Sequence, residues 1–142
     1  MALEIKTDLE NVDWERLAQV YAAAFSGIQT AELIETIFRR SYATRIGLWN
    51  GQIVSGVYAF SDGELDASIH GLCVHPDFQR LGIGRATMLS LLEEFPPHIA
   101  LLMTAEEKHW DFYRSVGFRR LHTAMARGFP EGDMEVLPVT SS

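Results

Sequence analysis

Two hydrophobic periods alternate along the chain, and the changes of period divide it into elements. Leu3, Ile5 and Thr7 alternate with polar neighbours, which predicts a first strand. Between Asn11 and Phe25, apolar residues recur at Val12, Leu17, Val20, Tyr21, Ala24 and Phe25, a helical spacing. Asn11 or Asp13 is the predicted N-cap of that helix, and Gly27 its stop. Thr30 caps a second predicted helix over 31–42, whose Leu33, Ile34, Ile37 and Phe38 share one face. The period then falls to two. Residues 45–49 and 52–61 flank Asn50-Gly51, a pair suited to a tight turn at positive φ. Asp62-Gly63 marks another turn before residues 64–75, so three successive antiparallel strands are expected across 44–75.

Residues 82–95 return to the helical period, with Met88, Leu89, Leu92 and Phe95 toward the core and Pro96-Pro97 as the stop. The short apolar run 99–105 reads as a buried strand. Residues 107–117 read as a short helix ended by Gly117, with Trp110, Phe112 and Tyr113 at packing positions. Alternation at Leu121, Thr123 and Met125 predicts a further strand over 118–126, and the tail over 130–142 has no clear period and reads as loose. No repeat or linker interrupts the pattern. The expectation is one α+β domain over 1–142, built on a mostly antiparallel sheet flanked by helices.

Composition adds limits rather than detail. The chain has 142 residues, 47% hydrophobic and 22% charged, which fits a globular domain. No apolar run approaches the ~20 residues of a membrane span, and the N-terminus lacks a signal-peptide pattern, so a cytoplasmic location is expected. Cys73 is the sole cysteine, which excludes an intrachain disulfide, and its apolar setting fits a buried inert thiol. The net charge of −7 argues against nucleic acid or an anionic membrane as the main partner. Yet residues 80–127 carry +2 and the remainder −9. Either the faces are solvated differently, or an anionic ligand meets the C-terminal half and a cationic one the N-terminal half.

Gly82-Ile83-Gly84 opens the predicted third helix, where free backbone amides favour a phosphate. A dinucleotide fold fits poorly. Thr87 stands at the third glycine position, residues 75–81 separate the glycines from the preceding strand, and hairpins replace βαβ repeats. A triphosphate loop fails because no Gly-Lys-Ser/Thr follows. The remaining option is that successive amides from Arg80 to Arg85 converge on one pyrophosphate, with Arg80 and Arg85 adding positive charge.

Val74-x-Pro76-x-x-Gln79-x-x-Gly82-x-Gly84, followed by Phe112-Tyr113-x-x-x-Gly117-Phe118, resembles the GNAT superfamily of acetyl-CoA-dependent N-acetyltransferases. The detailed match covers about residues 66–127, and residues 66–84 look like its small stand-alone members, including arylalkylamine types. The resemblance implies a sheet whose central strands splay to bind the coenzyme. Leu72 and Val74 would offer their backbone to the pantetheine arm, with an N–H near Val74 polarising the thioester. Gln79, Arg80, Leu81, Gly82, Ile83, Gly84 and Arg85 would form the pyrophosphate loop. By spacing alone Tyr113 is an aromatic packing in the core; the resemblance implies an acid that protonates the departing thiolate.

For the base, His70 stands four residues before Val74, the spacing of a base histidine in the arylalkylamine members. A histidine hydrogen-bonded on a sheet face is the plain alternative, and Glu106, with Glu107 and Asp66, is the rival. Many members carry Asn and Ala where this chain has Glu106 and His109, so the contacts of that asparagine do not carry over. The resemblance implies acetyl-CoA as co-substrate, no metal, and direct transfer to a primary amine of a small molecule or peptide. The charge split favours a cationic amine. A homodimer is common among such small members. The competing function is a non-catalytic acyl-CoA-binding regulatory module.

Overall fold

The computed structural model of the protein describes residues 2–27 and 29–134. Its strands are β1 (Leu3–Lys6), β2 (Ala43–Trp49), β3 (Gln52–Ser61), β4 (Asp66–Val74) and β5 (Ala100–Leu102). They form one sheet in the order β1-β2-β3-β4-β5, antiparallel except for the parallel pair β4–β5. The helices are α1 (Trp14–Ala24), α2 (Ala31–Arg40), α3 (Ile83–Leu92) and α4 (Trp110–Ser115). A parallel pair needs a crossover, and α3 supplies it between β4 and β5. No described helix is long and apolar enough to cross a membrane.

Local chemistry sets the boundaries. Asp13 caps α1, its carboxylate accepting the Arg16 N–H at 3.0 Å, and Thr30 caps α2 through Leu33 N–H at 3.1 Å. Asn50 and Gly51 both take positive φ, 49° and 83°, as a two-residue hairpin of the primed type requires. Asp62 accepts the N–H groups of Glu64, Leu65 and Asp66 and closes the β3–β4 turn.

Each face of the sheet has its own core. On one, α1 and α2 bury Leu17, Val20, Tyr21, Ile34 and Phe38 against Ile46, Ile53 and Cys73. On the other, α3 brings Met88 and Leu91 onto Val57, Ala59, Ala67 and Ile69, with Val116 joining from beyond α4. The buried stripe of α3 runs through Ile83, Thr87, Met88 and Leu91, and Leu89 is exposed, contrary to the expectation from apolar spacing. Thr87 is tolerated inside because its hydroxyl donates to Ile83 O at 2.7 Å and meets Ser55 Oγ at 2.9 Å.

Two expected strands are corrected. The run 99–105 gives only three strand residues; Ala100 and Leu102 are exposed, so it is a half-covered edge rather than a buried strand. Residues 118–126 form no strand, and Leu121 and Met125 are exposed. Alternation alone does not make a strand, which exists only by pairing, and β5 pairs with β4 and no other strand among the described residues. Within the tail, Glu131–Asp133 make one 3-10 turn; residues 135–142 lie outside the described residues.

Candidate functional site

The centre of the site is a strand that changes partners and faces along its length. β4 pairs with β5 only at Asp66↔Ala100, Ala67↔Leu101 and Ser68↔Leu102. Beyond Ser68 the edge of β4 facing β5 has no strand partner among the described residues, so the backbone from His70 to Val74 borders an opening. Toward β3, the register passes from Gly56↔Cys73 to Tyr58↔His70, which leaves Gly71 and Leu72 both opposite Val57. That is a β-bulge, and Gly71 forms it at φ 64°. A Cβ there would stand 2.5 Å from Tyr58 Cε1, so only glycine fits.

The bulge reverses the alternation of side chains. Before it, Ala67 and Ile69 enter the core under α3; after it, Leu72 packs on that same core, while Cys73 joins the core under α1 and α2. Cys73 thus points opposite to Leu72. Burial pushes its thiol up to about 12, and the adjacent Tyr21, also buried, is raised by the same desolvation. Such a thiol is not a nucleophile at neutral pH.

At the end of β4, His75 N–H donates to Val54 O at 2.8 Å and Gln79 Nε2 donates to Val74 O at 3.2 Å, which pins the following loop to the sheet. A 3-10 turn over Pro76–Phe78 leads to Arg80 (φ 67°) and Gly82 (φ 79°), both in the left-handed region. Gly82 is the N-cap of α3 and offers no side chain to its amides. The first intrahelical bond runs from Ala86 N–H to Gly82 O, so the amides of Ile83, Gly84 and Arg85 precede it, directed out of the helix start. Free amides beside the positive end of a helix dipole form an anion cradle. A Cβ on Gly84 would meet Val74 Cγ2 at 3.3 Å and Phe112 Cζ at 3.7 Å, so this glycine lets α3, β4 and α4 close together.

Of the two arginines, Arg80 is exposed, whereas the Arg85 guanidinium donates to Ser115 O at 3.0 Å and Ser115 Oγ at 3.2 Å. The side chain of Arg85 therefore ties α3 to the end of α4; only its amide faces the cradle. Leu81 is exposed and Ile83 buried, so both bring backbone rather than side chains to the loop.

Tyr113 is half-buried between Phe112 and Phe118, with ring centroids 5.1 and 6.1 Å away, in the cluster that also holds Leu72 and Met103. Burial raises its pKa, so the phenol keeps its proton further into alkali than usual. His70 lies on the opposite face. Its ring stacks on Tyr58 at 5.7 Å and 17°, meets Phe60 at 5.4 Å, and places Nε2 2.8 Å from Ser68 Oγ. Partial burial lowers its pKa below the usual imidazole value. Glu106 is exposed and paired with Lys108 Nζ at 3.2 Å, outside both clusters. The structure thus groups Leu72, Val74, the cradle and Tyr113, and sets His70 across the strand from Tyr113. Gly71 and Ser68 are further members. A glycine inside a strand pattern is a bulge signal; Ser68 announces itself only as the same-face neighbour of His70.

The acetyltransferase (GNAT) domain profile matches residues 11–137. An uncharacterised N-acetyltransferase, ycf52, of Porphyra purpurea is 35% identical over 69 residues, 47% of this chain and 40% of that protein. The matching stretch in its Pyropia yezoensis counterpart is 32% identical and covers 41% of it, so the match spans less than half the length of these relatives. A GNAT-family acetyltransferase of Streptococcus pneumoniae superposes with a TM-score of 0.69 at 28% identity, covering 90% of this chain and 96% of that one. Glucosamine-6-phosphate N-acetyltransferase of Arabidopsis thaliana shares the fold, with a TM-score of 0.73 at 12% identity over 92% of this chain and all of that one. The profile extends over both cores, the bulged strand and the amide cradle, and on that match the chain belongs to the GNAT family of acetyltransferases.

Proposed function

We propose that the protein transfers the acetyl group of acetyl-CoA directly to a primary amine of a small molecule or peptide, within a ternary complex. The observation that carries this reading is the bulged, half-unpaired β4, which sets Tyr113 and His70 on opposite faces of one opening. Amides from Arg80 to Arg85 hold the pyrophosphate, and the unpaired backbone from Leu72 to Val74 pairs with the pantetheine arm. A backbone N–H near Val74 polarises the thioester carbonyl.

The chemistry follows from the two faces. The amine nitrogen bonds to the acetyl carbon as the carbon–sulfur bond breaks. His70, neutral through its lowered pKa, takes the proton of the attacking amine directly or through water. Tyr113, kept protonated by burial, gives a proton to the departing thiolate. No covalent enzyme intermediate is needed, in keeping with the high pKa of Cys73.

The test has two arms. Acetyl-CoA raises the melting temperature of the full chain, and a panel of polyamines, ring-bearing amines, aminoglycosides and N-terminal peptides is then followed by release of free thiol. Coenzyme binding with no turnover across the panel identifies an acyl-CoA-binding module instead.

A further inference from the structure

Residues 75–79 join the two segments assigned to the coenzyme, the end of β4 at Val74 and the amide cradle that begins at Arg80. Pantetheine and pyrophosphate are parts of one molecule, so the spacing set by this connection bears on both at once. Its turn, Pro76–Phe78, has N–H groups only at Asp77 and Phe78, because proline has none. His75 takes both. The Phe78 N–H donates to His75 O at 2.9 Å, and the Asp77 N–H donates to His75 Nδ1 at 3.1 Å. An imidazole thus caps the turn, in a place more often filled by Asp, Asn, Ser or Thr.

The ring is held in that role. Its side chain is 20% exposed and meets Phe78 edge-on at 5.8 Å, while Phe78 leans on Trp49 of β2 at 6.5 Å. A nitrogen that accepts an N–H is the unprotonated one, which puts the ring proton on Nε2. The Asp77 carboxylate, 3.9 Å from Nδ1, is outside hydrogen-bond range and does not compete. Beyond the turn, Arg80 sits at φ 67°, a conformation that a residue with a side chain keeps only where its surroundings impose it. Gln79 fixes that end of the connection through Val74 O, and His75 fixes the other. Resting on the coenzyme reading above, we propose that His75 is a positioning residue for acetyl-CoA. Its neutral imidazole, as acceptor for the Asp77 N–H, holds the turn that sets the cradle against the end of β4.

Two substitutions separate the acceptor from the ring. His75→Asn places a carbonyl oxygen where Nδ1 stands and removes the ring; His75→Phe keeps a ring and removes the acceptor. His75→Ala, which cannot crowd the turn, is measured beside them. Calorimetric titration of the full chain with CoA gives the dissociation constant, and thiol release gives KM and kcat with acetyl-CoA. The expected result is a dissociation constant and a KM for acetyl-CoA raised about fivefold in His75→Phe and His75→Ala, near wild type in His75→Asn, with kcat little changed. Any order in which His75→Asn is no tighter than both other variants overturns the proposal and leaves the transferase reading standing. Wild type that binds no CoA defeats the coenzyme reading itself. Long-range proton–nitrogen NMR spectra of the labelled chain, with His75 identified by its loss in His75→Asn, read the tautomer without coenzyme. An unprotonated Nδ1 with the proton on Nε2 is expected, and the reverse overturns the proposal whatever the coenzyme does.

Discussion

Ser68 Oγ lies 2.8 Å from Nε2 of His70, and Tyr58 stacks on the same ring from β3. Edge and face of the imidazole are thus both held. The lowered pKa of His70 has a defined sign. The folded protein binds that proton more weakly than the unfolded chain, so its contribution to stability is complete above about 6.5 and is lost as pH falls toward the lower folded value. In catalysis the same shift moves the acid limb of kcat/KM below about 6.5. Wild type shows that limb, His70→Ala loses it together with most of the rate, and Ser68→Ala moves it with a fall in kcat that Ser68→Thr restores. A pH–rate profile unaltered in His70→Ala removes the base assignment.

Tyr113→Phe keeps the ring and its packing against Phe112 and Phe118 and deletes only the hydroxyl proposed as the acid. The expected loss is about 10²-fold in kcat with KM for acetyl-CoA little changed, measured by thiol release at several pH values. Full activity in this variant would return Tyr113 to a packing role.

Gly71→Ala meets two penalties at one atom: a φ of 64° and a contact of 2.5 Å with Tyr58. Either the bulge collapses or Tyr58 moves off His70. The variant should melt several degrees lower, consistent with about 1–3 kcal/mol for an over-packed, strained position, and lose acetyl transfer out of proportion to its stability. Gly51→Ala carries the turn strain without a clash and should cost stability alone.

A buried cation links β2 to α3. Arg45 is 4% exposed and donates to Ser90 Oγ, Thr44 O and Glu94 Oε1, the last at 2.7 Å. Glu94 is partly in water, which tempers its contribution. Glu94→Gln leaves Arg45 without its counter-charge and should cost about 1–3 kcal/mol in urea denaturation. The KM for acetyl-CoA should be unchanged, because the pair lies at the far end of α3 from the cradle.

Features set by consecutive residues were legible in the sequence. Asn50-Gly51 makes its hairpin, Asp13 and Thr30 cap their helices, and Gly82 with Gly84 opens α3, because each depends on the φ, ψ and side chain of its own few positions. The two motifs around Gln79 and Tyr113 identify the family for the same reason. What a side chain faces is a different matter, since it depends on pairing with residues far along the chain. The bulge at Gly71 puts His70 and Leu72, an even spacing apart, on opposite faces of β4. Contact with Ser115 takes the Arg85 guanidinium out of the cradle, and a hydroxyl pair lets Thr87 be buried while Leu89 is exposed. Residues 118–126 carry the alternation of a strand and lack a partner to make it one. Sequence by itself therefore determined the glycine loop that opens α3 and most of the elements; only the tertiary structure decided which face of β4 each candidate occupies, because a period-two strand inverts its faces at a single extra residue.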